Sequence, residues 1–142
     1  IIVCCCLLSA GCVHKDEEAP PAPPVDPRTA YAGEYAGVLH KHGWVAGADT
    51  VLVDTTYNDT VRVGLCDAYP LQVCLEGNAV YAHAEVDGGG GFHSAYYSPG
   101  SGFNLTGRFA LGAGPDSLVF TQFSYLYTQY SMNTSFRGIR IE

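Results

Sequence analysis

The side chains that could do chemistry are few, and their spacing narrows the choices. His40-Lys41-His42 places two of the five histidines on one face of a strand, about 7 Å apart. With His83 or His93 they could surround a metal ion. No carboxylate or cysteine stands at ligand spacing beside them in the sequence, so no metal site is expected. Asp54, Asn58 and Asp59 offer oxygens, but not the alternate positions, central Gly and terminal Glu of a calcium loop; a hairpin turn is expected there. Gly88 to Gly91 runs into the strand-like Phe92-His93-Ser94. A phosphate loop would run into a helix and usually carry a Lys. Ser94 beside His93 lacks the G-x-S-x-G elbow of a nucleophilic serine. Glu34, Glu76 and Glu85 could share acid–base work only in a common cleft. No catalytic residue and no cofactor is therefore expected, and a non-enzymatic role is favoured over hydrolysis.

Tyrosine is the over-used functional side chain, with 10 copies. Tyr35, Tyr96, Tyr97, Tyr125 and Tyr127 are candidate ligand-lining residues. An aromatic face with a polar tip suits a sugar or an apolar ligand. Ordinary strand packing with hydroxyls at the surface is the alternative, and the favoured one.

The elements that must position these residues are strands. Thr60-Val61-Arg62-Val63-Gly64-Leu65 and Ala79 to Val86 alternate with period 2. Ile139 and Ile141 share one face near the end. Strands are expected near 31–40, 50–57, 60–66, 71–75, 79–86, 92–98, 103–111, 117–130 and 135–141. Turn chemistry lies between them at Tyr57-Asn58-Asp59-Thr60, Glu76-Gly77-Asn78 and Gly114-Pro115-Asp116, with a flexible loop at Asp87 to Gly91. No window shows helical spacing without a Gly or Pro break. The fold class is all-β, an antiparallel up-and-down barrel of eight or nine strands, with a β-sandwich as the alternative. Closing the sheet would remove its exposed edges.

Composition agrees. Hydrophobic residues make up 47% and charged residues 15% of the 142, with 17 Gly. That is too apolar for a disordered chain. The net charge is −7, and Lys and Arg form no stripe, which excludes a nucleic-acid surface.

The N-terminus is an address. Ile1 to Leu8 is wholly apolar but too short to span a bilayer, and reads as the end of a truncated signal peptide. Leu8-Ser9-Ala10-Gly11-Cys12 resembles the lipobox of bacterial lipoproteins, with Ser9 where Leu is usual. The resemblance implies cleavage before Cys12 and lipidation of its thiol. Ordinary signal peptidase would instead leave a free thiol. Two or three acyl chains would make a stable anchor. His14-Lys15-Asp16-Glu17-Glu18 resembles the surface-export signal of lipoproteins of the Bacteroidota. It implies an outer-membrane protein facing outward, with the periplasmic face as the alternative. Five of the ten residues 19–28 are Pro, a semi-rigid stalk of about 30 Å. The expected organisation is signal peptide 1–11, lipidated cysteine and tether 12–29, and barrel domain 30–142.

Of the six cysteines, Cys4, Cys5 and Cys6 would leave with the signal peptide and Cys12 would carry lipid. Cys66 and Cys74 remain, around a turn-like Asp67-Ala68-Tyr69-Pro70. In an exported domain they are expected to form a disulfide, with two buried thiols as the alternative.

Tyr31-Ala32-Gly33-Glu34-Tyr35-Ala36-Gly37, Asp54 to Val61, Asp116-Ser117-Leu118 and Phe136-Arg137-Gly138, in that order, resemble a group of small lipocalin-like lipoproteins of the Bacteroidota. Gly33-Glu34-Tyr35 stands where lipocalins have Gly-x-Trp, and Arg137 or Arg140 where a late arginine packs on that aromatic. The resemblance implies a calycin-type barrel and no particular activity. Asp49-Thr50-Val51, Asp54-Thr55-Thr56, Asp59-Thr60-Val61 and Asp116-Ser117-Leu118 resemble the O-glycosylation motif of exported proteins in that phylum. This makes Thr50, Thr55, Thr60 and Ser117 candidate glycan acceptors. Turn-then-strand chemistry is the alternative. The expected function is a tethered binding or accessory module for a small apolar or glycan ligand. The alternative is a structural or interaction subunit of an envelope complex.

Overall fold

The computed structural model describes residues 22–48, 50–127 and 129–141. Cys12 and the lipobox lie outside the described residues. Eight strands follow in order: β1 (Gly33–Val45), β2 (Val51–Leu65), β3 (Gln72–Glu76), β4 (Tyr81–Val86), β5 (Gly91–Ser98), β6 (Ser101–Ala110), β7 (Ser117–Leu126) and β8 (Tyr130–Arg140). Each pairs antiparallel with the next, and β8 returns to β1, so the sheet closes into a barrel. The barrel expectation holds over the sandwich. Helix is confined among the described residues to one 3₁₀ turn, Pro27–Ala30. No described helix is long and apolar enough to cross a membrane.

Period-2 alternation builds the strands. On β1, Tyr35 and Leu39 are buried while Val38 and His40 face solvent; on β2, Val61 and Val63 are buried while Thr60 and Arg62 are exposed. Several boundaries differ from expectation: β1 runs on to Val45, and the strand expected over 117–130 ends at Leu126, with Tyr130 already opening β8. The 50–57 and 60–66 segments are one strand, because Asn58-Asp59 does not turn: Asn58 and Asp59 pair with Val38 and Gly37. Asp59 is buried, and its Oδ1 accepts from Asn78 Nδ2 at 2.7 Å in the β3–β4 hairpin. The turn-prone Asp thus anchors a hairpin tip from within a strand. The Asp87–Gly91 segment is a closed turn: Asp87 Oδ1 accepts from Gly89 N at 2.7 Å and Gly91 N at 2.9 Å.

One end of the barrel is filled. Tyr35, Leu39, Val61, Val63, Val73, Leu75, Phe92, Leu105, Phe109, Leu118, Phe120 and Phe136 make its core with small Ala82 and Ala84. Each large side chain buried this way contributes about 1.5–3 kcal/mol. Tyr31 caps this end, its ring 4.9 Å from Phe109. The Tyr35 hydroxyl donates to Tyr31 O at 2.9 Å, and burial pushes the Tyr35 phenol pKa up. Arg140, which pairs with Tyr35 in register, donates to Ala30 O at 3.1 Å and to Ala32 O. Arg137 instead faces solvent opposite Val38. Of the two arginines, Arg140 therefore clamps the chain entry. The β1–β8 seam is tight here: a side chain at Gly37 would run into the Arg137 carbonyl.

The wall is uneven. β1, β2, β6, β7 and β8 are tall, whereas β3 meets β2 over Arg62 to Leu65 alone. β4 meets β5 at Glu85 and Val86 alone. Cys66, just after β2, and Cys74, on β3, are disulfide-bonded, with Cα atoms 5.3 Å apart. Closing so short a loop contributes about 2–3 kcal/mol in the chain-entropy account. The double variant Cys66→Ser/Cys74→Ser should therefore unfold at lower urea by that amount, with unchanged β-sheet circular dichroism. An unchanged midpoint would show that the bridge adds nothing to stability.

Candidate functional site

The outer wall of β5–β8 and β1 carries three register rows. His40 stands beside Ser135, then Thr121, then Thr106. His42 stands beside Asn133, then Phe123, then Asn104. Trp44 stands beside Ser131, then Tyr125, then Gly102, then Tyr97. All alternate with the inward Leu39, Leu105, Phe120 and Phe136, so period 2 places them on the outside. Long rings standing among short Thr, Ser and Asn leave a groove of about 560 Å³.

The rings form a chain. Centroids are 6.5 Å apart for His40–His42, 5.6 Å for His42–Trp44, 6.3 Å for Trp44–Phe123 and 6.4 Å for Phe123–Tyr125. These separations fall in the range of interacting aromatic pairs. Gly102 makes room for Tyr125: a Cβ there would lie 2.8 Å from its ring. Asn104 Nδ2 donates to the Tyr97 hydroxyl at 3.4 Å. Phe123 is 40% exposed and Tyr97 64%, so ring faces remain open to a ligand. The lining has Asn104, Asn133, Thr106, Thr121 and Ser135 as outward-facing donors and acceptors. Among the described residues lining it there is no Lys, Arg, Asp or Glu.

Asp54 stands at the margin. His40 Nε2 lies 2.8 Å from Asp54 Oδ1, and His42 Nδ1 3.7 Å from Oδ2. The carboxylate absent from the sequence neighbourhood of the histidines is thus supplied across the β1–β2 pair. The hydrogen bond from His40 holds the Asp54 carboxyl below its ordinary pKa, and the charges of His40 and His42 add to this. A depressed carboxyl pKa contributes stability above the unfolded value, lost as pH falls through the folded one. Asp54 is exposed, so solvent screens the effect. These three side chains do not gather within reach of one ion, and His83 and His93 stand on β4 and β5, away from them.

The candidate tyrosines separate. Tyr97 and Tyr125 line the groove. Tyr96 stacks on Phe103 at 6.4 Å and borders a different depression, beside Tyr69, Tyr81 and His83. Tyr127 is in the β7–β8 turn with φ of 52°, and its N–H donates to Gly100 O. Tyr35 requires a correction: it is fully buried against Phe109 and lines no opening. Its place at the closed end commits it to the core.

Thr50, Thr55 and Thr60 are exposed and Ser117 half-buried. Asp49 lies outside the described residues. The other aspartates of that motif have structural partners: His40 for Asp54, Asn78 for Asp59, and Gly112 N and Arg140 for Asp116. Sequence reasoning missed Trp44, Phe123, Asn104 and Asn133. The signal was present in parity: His40, His42 and Trp44 are spaced by two.

Fold and site together define a closed eight-stranded antiparallel barrel, of lipocalin-like form, with an aromatic groove on its outer wall whose lining holds no Lys, Arg, Asp or Glu among the described residues. No protein-family model and no curated protein matches the chain.

Proposed function

We propose that this barrel is a non-enzymatic binding module and that its outer groove takes a neutral glycan. The observation that carries the reading is the ring pair Phe123–Tyr125 in the groove, flanked by Trp44 on Phe123, beside the carboxamides of Asn104 and Asn133. Pyranose rings have apolar C–H faces that stack on aromatics and equatorial hydroxyls that pair with amides. A lining without Lys or Arg, whose one imidazole already faces Asp54, selects against phosphate and carboxylate ligands, which need a cationic partner. A purely apolar ligand would leave those amides desolvated without partners. Trp44 is the chain's one tryptophan and, with its ring 6.3 Å from that of Phe123, reports occupancy through that contact. Glycan-array screening, followed by titration of Trp44 fluorescence, should find a saturable neutral oligosaccharide. Binding restricted to fatty acids or other lipids would contradict the reading.

A second reading, an interaction subunit of an envelope complex, is favoured by the exposed Val38, Val119, Ile139 and Ile141 on the β1–β8–β7 wall. Val38, Ile139 and Ile141 border one depression, with Arg137 between Val38 and Val119, and exposed apolar surface rimmed by polar groups marks protein contacts. Crosslinking in intact envelopes distinguishes the two.

We also read the chain as a lipoprotein of the outer membrane, anchored through Cys12 and facing outward. Supporting this are the lipobox-like Leu8 to Cys12, the His14 to Glu18 stretch and the Pro-rich stalk. Acylation by two or more chains gives stable membrane association. Expressed in a Gram-negative host with a complete signal peptide, the wild-type protein should sediment with membranes, and Cys12→Ser should be soluble. Equal partition of the two would rule out a lipid anchor at Cys12.

A further inference from the structure

We propose that, when the Cys66–Cys74 bond is reduced, Cys66, Cys74 and His83 form a three-ligand site for zinc. The Sγ atoms and an imidazole nitrogen all lie within 4.8 Å of one another. Cys74 and His83 face each other directly across the β3–β4 ladder. Such opposed pairs have side chains close enough to share a partner.

The third ligand is held independently of the disulfide. Cys66 N donates to Gln72 O at 3.4 Å, Tyr69 N to Cys66 O at 3.2 Å and Gln72 N to Tyr69 O at 2.9 Å. From outside the loop, Arg28 Nη1 donates to Gln72 O at 2.9 Å and Tyr69 O at 3.3 Å. None of these bonds involves sulfur, so reduction leaves the loop in place. The imidazole is also gripped, with the Tyr69 ring 4.6 Å and the Tyr81 ring 5.8 Å from that of His83.

Two thiolates and one imidazole are a zinc donor set, and soft sulfur excludes magnesium and calcium. Tetrahedral zinc with Zn–S near 2.3 Å needs sulfurs about 3.8 Å apart, which the freed thiols reach by side-chain rotation. Cys66 is buried, while Cys74 and His83 are half-buried. His83 borders a depression of about 400 Å³ with Tyr69, Tyr81 and Tyr96. The fourth coordination position opens toward it, for water or a small ligand.

The chemistry balances. A dithiol reductant gives two electrons and two protons to the disulfide and leaves as its own cyclic disulfide. Zinc then displaces both thiol protons to solvent as it binds.

The test uses the full chain carrying Cys4→Ser, Cys5→Ser, Cys6→Ser and Cys12→Ser, so that Cys66 and Cys74 are its remaining thiols. The reduced protein, freed of reductant under anaerobic conditions, is titrated with cobalt(II). One equivalent should give thiolate-to-cobalt charge transfer and tetrahedral d–d bands, displaced by zinc, and the oxidised protein should give neither. His83→Ala should weaken binding at least about tenfold, the loss that even an outer partner of a ligand causes. Zinc should raise the Tm of the reduced form but not of the oxidised form. Unchanged affinity in His83→Ala would overturn the proposal. So would absent cobalt–thiolate bands in a reduced protein that keeps its β-sheet spectrum. A Tm unmoved or lowered by zinc would show binding to unfolded chain and would overturn it too, as would a reduced chain that unfolds and does not regain structure with zinc.

Discussion

Phe123→Ala and Tyr125→Ala each weaken glycan binding at least about tenfold without altering the fold. Removing a ring removes one stacking face and the apolar area it covers, about 1.4 kcal/mol or more. Phe123 sits in the middle of the groove, between Asn133 and Asn104 in register, so its loss also opens the site to water. Tyr125 lies against Gly102, and Tyr125→Phe should retain most of the affinity if the ring face is what binds. Neither residue is in the buried core. Surface substitutions of this kind cost within about 0.5 kcal/mol of stability, so urea midpoints should match wild type. Affinity unchanged in both variants, measured through Trp44 fluorescence, would place the ligand elsewhere.

Phe120→Ala has the largest expected effect on stability, about 3–5 kcal/mol. Phe120 is 1% exposed and stacks on Phe136 at 5.3 Å. It also covers Gly107, where an added Cβ would come within 2.7 Å of the Phe120 Cβ. Truncation leaves a cavity bounded by strands that cannot collapse, because β6, β7 and β8 are paired along their length. Domains of this size are stable by about 5–15 kcal/mol, so a large fraction would be lost. Thr121→Ala, one residue along and outward-facing, should change stability by less than about 0.5 kcal/mol. Urea denaturation of the pair isolates burial from strand propensity. A loss below about 1 kcal/mol for Phe120→Ala would mean that this end of the barrel is not closely packed.

Strands were legible wherever one face is buried. Thr60 to Leu65 and Tyr81 to Val86 alternate because each second side chain enters the core. Alternation fails where both faces are wet, as over Val51 to Thr56 on β2, which β3 does not cover. Turn chemistry misled at Asn58-Asp59, since a long-range bond from Asn78 to Asp59 overrides a local preference. The disulfide was legible from an even count of remaining cysteines eight residues apart. The groove was not, because its rings come from β1, β5 and β7 and its amides from β6 and β8, and they meet through register alone. A slip of one residue on β7 would turn Phe123 and Tyr125 inward. Tyr35 was misjudged for a related reason: the sequence shows an aromatic in a strand, not which end of the barrel is plugged.

The central claim is that a neutral glycan occupies the outer groove. Its most direct test is an amide-correlation NMR titration of the isotope-labelled chain with the best oligosaccharide from the array. Saturable shifts are expected at the Trp44 indole N–H and at the side-chain amides of Asn104 and Asn133, with Lys41, Tyr57 and the Phe136 amide unmoved. Tyr57 pairs with the inward Leu39 and Lys41 with the buried Thr134; shifts confined to these inward-facing residues and Phe136, or no shift at any saturating concentration, would contradict it.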